Sequence, residues 1–218
     1  MKINKTALFL VTFFITLTIA FIAYVFPKIT ASEKQKPVLP IIGNDQNHHV
    51  SAFSFINQDG KTITSDDVKG KICVVEYFYA TCKGICPKMN ENLASVYKAF
   101  KGNKNVMILS HTVDPLKDTV GALKAYSMRF GADANQWMFL TGDKKQLYDM
   151  ARYSYLINAE DTANGVTITD DFIHDKHYTL VDGFGRVRGF YDGTNMDEVN
   201  KLIADIRLLM TETNTQNM

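Results

Sequence analysis

Excess charge of either sign is missing: 24 Lys and Arg stand against 23 Asp and Glu in 218 residues, a formal net charge of +1. Such a balance gives no reason to expect nucleic acid or an acidic partner surface. Internal repeats and low-complexity tracts are also missing. Beyond the N-terminal region roughly 170 residues remain, enough for one domain with its own core. Cysteine is scarce, at three residues, so any thiol chemistry rests on very few positions.

Further absences qualify the N-terminus. Lys2 and Lys5 precede an uncharged run from Thr6 to Phe26, closed by Pro27-Lys28. The run is about the ~20 residues that cross a bilayer, with positive charge on its short side. It exceeds the ~7–15 apolar residues of a secretory signal, so an uncleaved anchor is expected, with cleavage after Ile29-Thr30-Ala31 as the alternative. No Cys follows the run, which argues against lipoprotein processing. No Arg-rich, Ser-rich presequence appears, which points to a bacterial rather than a mitochondrial chain. The expected division is a cytoplasmic N-terminus over 1–5, an anchor over 6–26, a linker over 27–50, a domain over 51–212 and a disordered tail over 213–218. Within the linker Leu39-Pro-Ile-Ile-Gly43 is a candidate for docking on the domain, and His48-His49 reads as a solvated pair. Either N-terminal reading exports the domain, where paired cysteines are disulfide-competent.

The most telling stretch is Glu76-Tyr-Phe-Tyr-Ala-Thr-Cys82-Lys-Gly-Ile-Cys86-Pro87-Lys-Met89. An apolar run over 71–79, without alternation, predicts a strand buried on both faces. After Pro87, Met89, Leu93, Val96, Tyr97 and Phe100 fall on one helical face. Around this unit, Ala52 to Ile63 predicts a hairpin turning at Asp59-Gly60. A strand over 105–113, a helix from Thr119 to Phe130 stopped by Gly131, and a strand over 137–140 come after it. Next are a helix from Asp143 through Tyr153, an irregular stretch over 155–171, strands over 177–182 and 186–191, and a last helix capped by Asn195. This order describes an α/β thioredoxin-like fold with an N-terminal β-hairpin and an inserted loop or hairpin late in the chain.

Pro87 disfavours helical geometry at Cys86 but suits a first helical turn. Cys82 is therefore expected in the loop and Cys86 at the helix start. Helix N-termini favour thiolates, which attack disulfides and bind soft metals. As a mere staple, a five-residue loop constrains the unfolded chain little. Two sulfurs leave a metal under-coordinated; His111, His174 and His177 are the candidate third ligands. Two cysteines with no evident fourth ligand favour copper over zinc. His111 is expected near the site, as a hydrogen-bonded rim residue or an auxiliary ligand. Cys73 reads as a buried hydrophobe, and Glu76 as either a hydrated neighbour of the thiols or a solvent-facing residue. Asp114 and Asp118 read as caps of the following helix.

These segments carry a resemblance. Phe78 to Met89 resembles the Cys-x-x-x-Cys-Pro motif of the Sco/SenC family, Thr112 to Thr119 its Asp-Pro-x-x-Asp-Thr segment, and Asp171 to Asp182 its metal-histidine segment. The likeness runs from about Leu39 to Met210. It implies a membrane-tethered, thioredoxin-fold metallochaperone of the bacterial inner membrane, its domain on the periplasmic side. Such a protein assists assembly of the binuclear copper site of cytochrome c oxidase subunit II. It implies Cys82, Cys86 and His174 as ligands of Cu(I) or Cu(II), with His177 as the alternative to His174. A thiol-disulfide oxidoreductase using Cys82 and Cys86 catalytically, or a redox or copper sensor, remains the competing function. A peroxiredoxin is disfavoured, because its Thr-x-x-Cys environment is missing.

Overall fold

The structure, a computed structural model, describes residues 4–32, 38–43, 48–157 and 175–216. It divides into two units, residues 1–38 and 39–218. The first contains helix α1 (Lys5–Ser32), which encloses the expected span and extends beyond it. Its window Leu8–Val25 has a mean hydropathy of 2.5 and is long and apolar enough to cross a membrane.

The second unit is built on one seven-stranded sheet in the order β2-β1-β5-β4-β3-β6-β7. Strands β1 (Ser54–Asn57) and β2 (Thr62–Thr64) form the expected hairpin, turning at Gly60 with φ +75°, a value that glycine adopts without strain. β3 (Ile72–Phe78), β4 (Val106–Thr112) and β5 (Trp137–Thr141) run parallel. They are linked by α2 (Cys86–Phe100) and α3 (Val120–Met128). β6 (His177–Val181) and β7 (Val187–Asp192) close the other edge antiparallel. α4 (Lys144–Asp149) passes into a wider helical turn over Met150–Ser154. α5 (Met196–Gln216) runs past 212, into the segment expected as a tail.

The three parallel strands are buried along their whole length, and helices cover both faces. On one face Leu93 and Val96 of α2, Leu123 and Tyr126 of α3, and Leu202 and Ile206 of α5 pack on Val74, Phe78, Ile108 and Trp137. On the other, Leu147, Tyr148 and Tyr155 pack on Val75, Tyr77, Leu109 and Leu140. α2 is locked to the last hairpin by Tyr178, whose hydroxyl donates to the Met89 carbonyl, and by Asn92, whose amide donates to the Gly193 carbonyl at 2.8 Å. A Cβ on Gly193 would lie 2.6 Å from the Tyr178 ring, so the lock requires glycine there.

The candidate docking segment does join this unit. Ile42 N–H donates to the Val187 carbonyl at 2.8 Å, and Arg188 donates to the carbonyls of Pro40 at 3.0 Å and Leu39 at 2.6 Å. His48, expected in solvent, is half-buried and lies 2.9 Å from the Ser154 carbonyl. The expected insertion and His174 fall in 158–174, outside the described residues.

Candidate metal centre

β3 ends at Phe78 because the chain must leave the sheet before α2 can pack back on it. Residues 79–85 make that crossing, and Cys82 N–H donates to the Tyr79 carbonyl at 3.1 Å. α2 begins at Cys86 itself, with Ile85 before it in helical conformation at φ −78°, ψ −29°. Cys86 opens the helix as expected, with Pro87 in the first turn, where its missing N–H costs nothing. Cys82 is half-buried and Cys86 buried; both, with Cys73, are free thiols.

Ile85 offers no side-chain cap to the helix. The Cys82 sulfur lies close by, 3.9 Å from where a Cβ on Gly84 would stand. Burial pushes the Cys82 thiol up, but hydrogen bonding from Cys86, Gly84 and Tyr79 outweighs it and brings it below the usual thiol value. Cys86 moves the other way: burial, the bond to Cys82 and the nearby Cys82 and Glu76 charges push it up to about 12. The two thiols are thus shifted in opposite directions, Cys82 down and Cys86 up. Two soft donors within hydrogen-bonding reach fit part of a site for a thiophilic cation. Among the described residues no group of three His, Cys, Asp or Glu could complete one.

The loop is held from below. The carboxylate of Asp118 accepts the Ala80 N–H at 3.1 Å and the Thr112 hydroxyl at 2.5 Å. Cap of α3 is therefore the wrong role for Asp118: Thr119 is the N-cap, accepting Ala122 N–H, and Asp118 ties the β4 exit to the cysteine loop. Asp114 does not cap α3 either; its carbonyl accepts the Lys117 and Asp118 N–H groups. Sequence spacing gives no sign of the Asp118–Ala80 link, because its ends are 38 residues apart.

Glu76 is fully buried on the cysteine side of the sheet, so of the two expectations the solvent-facing one fails. The Ser110 hydroxyl donates to it at 2.5 Å, and the Trp137 indole N–H donates to Ser110 at 2.9 Å. Burial pushes its carboxyl up to about 7 despite the Ser110 bond.

His111 is neither rim residue nor auxiliary ligand. It pairs in register with Tyr77 on the opposite face. There it is fully buried, with the rings of Tyr77, Phe55 and Tyr155 at centroid distances of 5.1, 5.4 and 5.4 Å. His177 begins β6 next to Tyr178, which packs on the cysteine face, so strand alternation directs His177 away from it. Its Nδ1 lies 2.6 Å from Asp175 Oδ1. Cys73 is buried, its thiol pushed up to about 12 by burial, and it is inert as expected.

The family model SCO1/SenC matches residues 43–211. The chain belongs to the SCO1/SenC family. A SCO1 protein homolog of Bacillus subtilis is 28% identical over 167 residues, covering 76% of this chain and 84% of that protein. The structure of BsSco, described through a disulfide switch in a member of the Sco family of cytochrome c oxidase assembly proteins, is 28% identical. It superimposes with a TM-score of 0.62, covering 78% of this chain and 98% of that one. Bradyrhizobium japonicum ScoI, solved with copper bound, shares the fold at 22% identity and a TM-score of 0.57, covering 73% and 98%. The α/β thioredoxin-like architecture read from the element order is the architecture of these Sco proteins.

Proposed function

We propose that the chain is a membrane-anchored copper metallochaperone that assists assembly of the binuclear copper site of cytochrome c oxidase subunit II. In this reading the domain lies on the periplasmic side of a bacterial inner membrane. Cys82, Cys86 and His174 hold the cargo as Cu(I) or Cu(II). The observation that carries it is the pair of free thiols where the loop from β3 enters α2, shifted in opposite directions by their interaction, supported by membership of the family and by copper in a relative of the same fold.

Bound copper is a thiophilic, redox-active ion to hand on; the rest is the work of the chain. Cys82 reaches the thiolate form first and offers the leading donor. Cys86 gives up its proton only as it meets the cation. Asp118 keeps the loop in place while the ligand set changes.

The opposed shifts of the two thiols also favour a second reading, thiol-disulfide exchange. Cys82 thiolate would attack a target disulfide and form a mixed disulfide, releasing one target thiolate. Cys86, once deprotonated, would attack the Cys82 sulfur and release the second, leaving the chain oxidised and the target reduced.

Copper stoichiometry on the reduced full chain tests both. Wild type and His177→Ala are expected to bind one Cu(I) tightly, and His174→Ala to lose affinity at least about tenfold. Tight binding by His174→Ala with loss in His177→Ala would reverse the ligand assignment. Weak binding by the wild type would transfer the function to disulfide exchange.

A further inference from the structure

The net charge of +1 conceals a local pattern around Cys82. Two loops meet there, residues 79–85 leaving β3 and 113–119 leaving β4. Val113 N–H donates to the Phe78 carbonyl at 2.9 Å, and Ala80 N–H to Asp118 at 3.1 Å. The second loop closes on the Asp114 carbonyl and presents Leu116 at its apex, 87% exposed. Ile85, beside Cys86, is 40% exposed. Neither residue joins the core on either face. Lys83 and Lys88 are exposed and have no ion partner among the described residues. Lys117 is paired with Asp114 at 3.1 Å, and Glu91 is exposed about a turn further along α2.

Two exposed apolar residues and two lysines unpaired among the described residues, all on the segments that flank Cys82, suit a protein interface better than a small-molecule pocket. We infer that this collar seats a thiol-bearing protein segment that is apolar beside its cysteine and acidic on its flanks. The inference rests on the dithiol reading above, in which a partner sulfur must come within bonding distance of Cys82. Ile85 and Leu116 then lose exposed surface to the partner, and Lys83 and Lys88 steer its approach and fix its register.

The test uses the reduced full chain in detergent and two synthetic peptides. Each peptide carries one cysteine as a mixed disulfide with 5-thio-2-nitrobenzoate, flanked by Leu and Glu in one and by Leu and Lys in the other. Cys82 thiolate attacks the peptide sulfur. A Cys82–peptide S–S bond forms, the peptide–nitrobenzoate S–S bond breaks, and coloured 5-thio-2-nitrobenzoate leaves with the electron pair. The acidic peptide is expected to react about tenfold faster at low salt, with the gap narrowing at ~0.5 M salt. Leu116→Ser should slow both peptides about threefold while the rate with neutral 2-hydroxyethyl disulfide stays the same. Lys88→Glu should shrink the acidic-to-basic ratio at least about threefold. Equal rates for the two peptides, or variants that leave both rates and ratio unchanged, overturn the collar. So does a concentration-dependent dimer that Leu116→Ser dissociates, which would give the surface to a second copy. Failure of the wild type to react even with 2-hydroxyethyl disulfide would instead remove the dithiol reading beneath it.

Discussion

Glu76 and His111 occupy adjacent rungs at the centre of one sheet, both fully buried, and the two faces treat them in opposite ways. On the cysteine face, Glu76 belongs to a hydrogen-bonded line running through Ser110 to Trp137. On the other, His111 is enclosed by aromatic rings, and neither ring nitrogen has a hydrogen-bond partner. Burial pushes the first up to about 7 and the second down to about 3. Each is thereby driven toward its neutral form. Polar burial alone therefore does not mark a functional site. What separates the faces is connection: Glu76 acts electrostatically on Cys86, whereas the His111 nitrogens are linked to no polar group.

The largest test of that contrast is Glu76→Gln. The folded value of about 7 lies above the ordinary 4.5, so the stability linked to it is present below pH 4.5 and lost as pH rises through 7. The variant should gain about 3 kcal/mol over wild type at pH 8 and almost nothing at pH 4, read from urea midpoints. Next comes Asp118→Ala, which leaves the Ala80 N–H and Thr112 hydroxyl without their acceptor and should cost about 2 kcal/mol. Faster alkylation of Cys82, followed by mass spectrometry, would accompany it if the tie restrains the loop as well as stabilising it. The smallest is His111→Phe. The folded value of about 3 lies below the ordinary 6.5, so stability is complete above pH 6.5 and falls as pH drops toward 3. At pH 5.5 the variant should be ahead by about 1 kcal/mol. Opposite pH slopes for Glu76→Gln and His111→Phe sustain the comparison. Parallel slopes would break it.

Much of the fold is legible in the sequence alone. The apolar run ending at Phe78 and the helical stripe after Pro87 place the two cysteines correctly, because each period reports directly on burial. The element order then leads to the fold. The faces are not legible in the same way. A strand buried on both sides has no alternation, so nothing in 72–78 or 106–112 shows that Glu76 joins the cysteine side and His111 leaves it. Proximity of the β4 terminus to the β3 terminus suggests His111 for the site, and the register turns it away. Asp118 misleads for a similar reason: a side chain before a helix usually caps it, and only the three-dimensional crossing of two loops offers it Ala80.

Arg188 carries a practical consequence. Its side chain is 2% exposed and sits between Asp182 at 2.8 Å, Glu212 at 3.0 Å and the carbonyls of Leu39 and Pro40. A soluble form of the protein cut at residue 51, the domain start expected from sequence, would strip two acceptors from a buried guanidinium and the Ile42 rung from the edge of β7. Trimming should stop ahead of Leu39. In proteolytic terms, a cut that leaves these contacts of the arginine whole falls before Leu39.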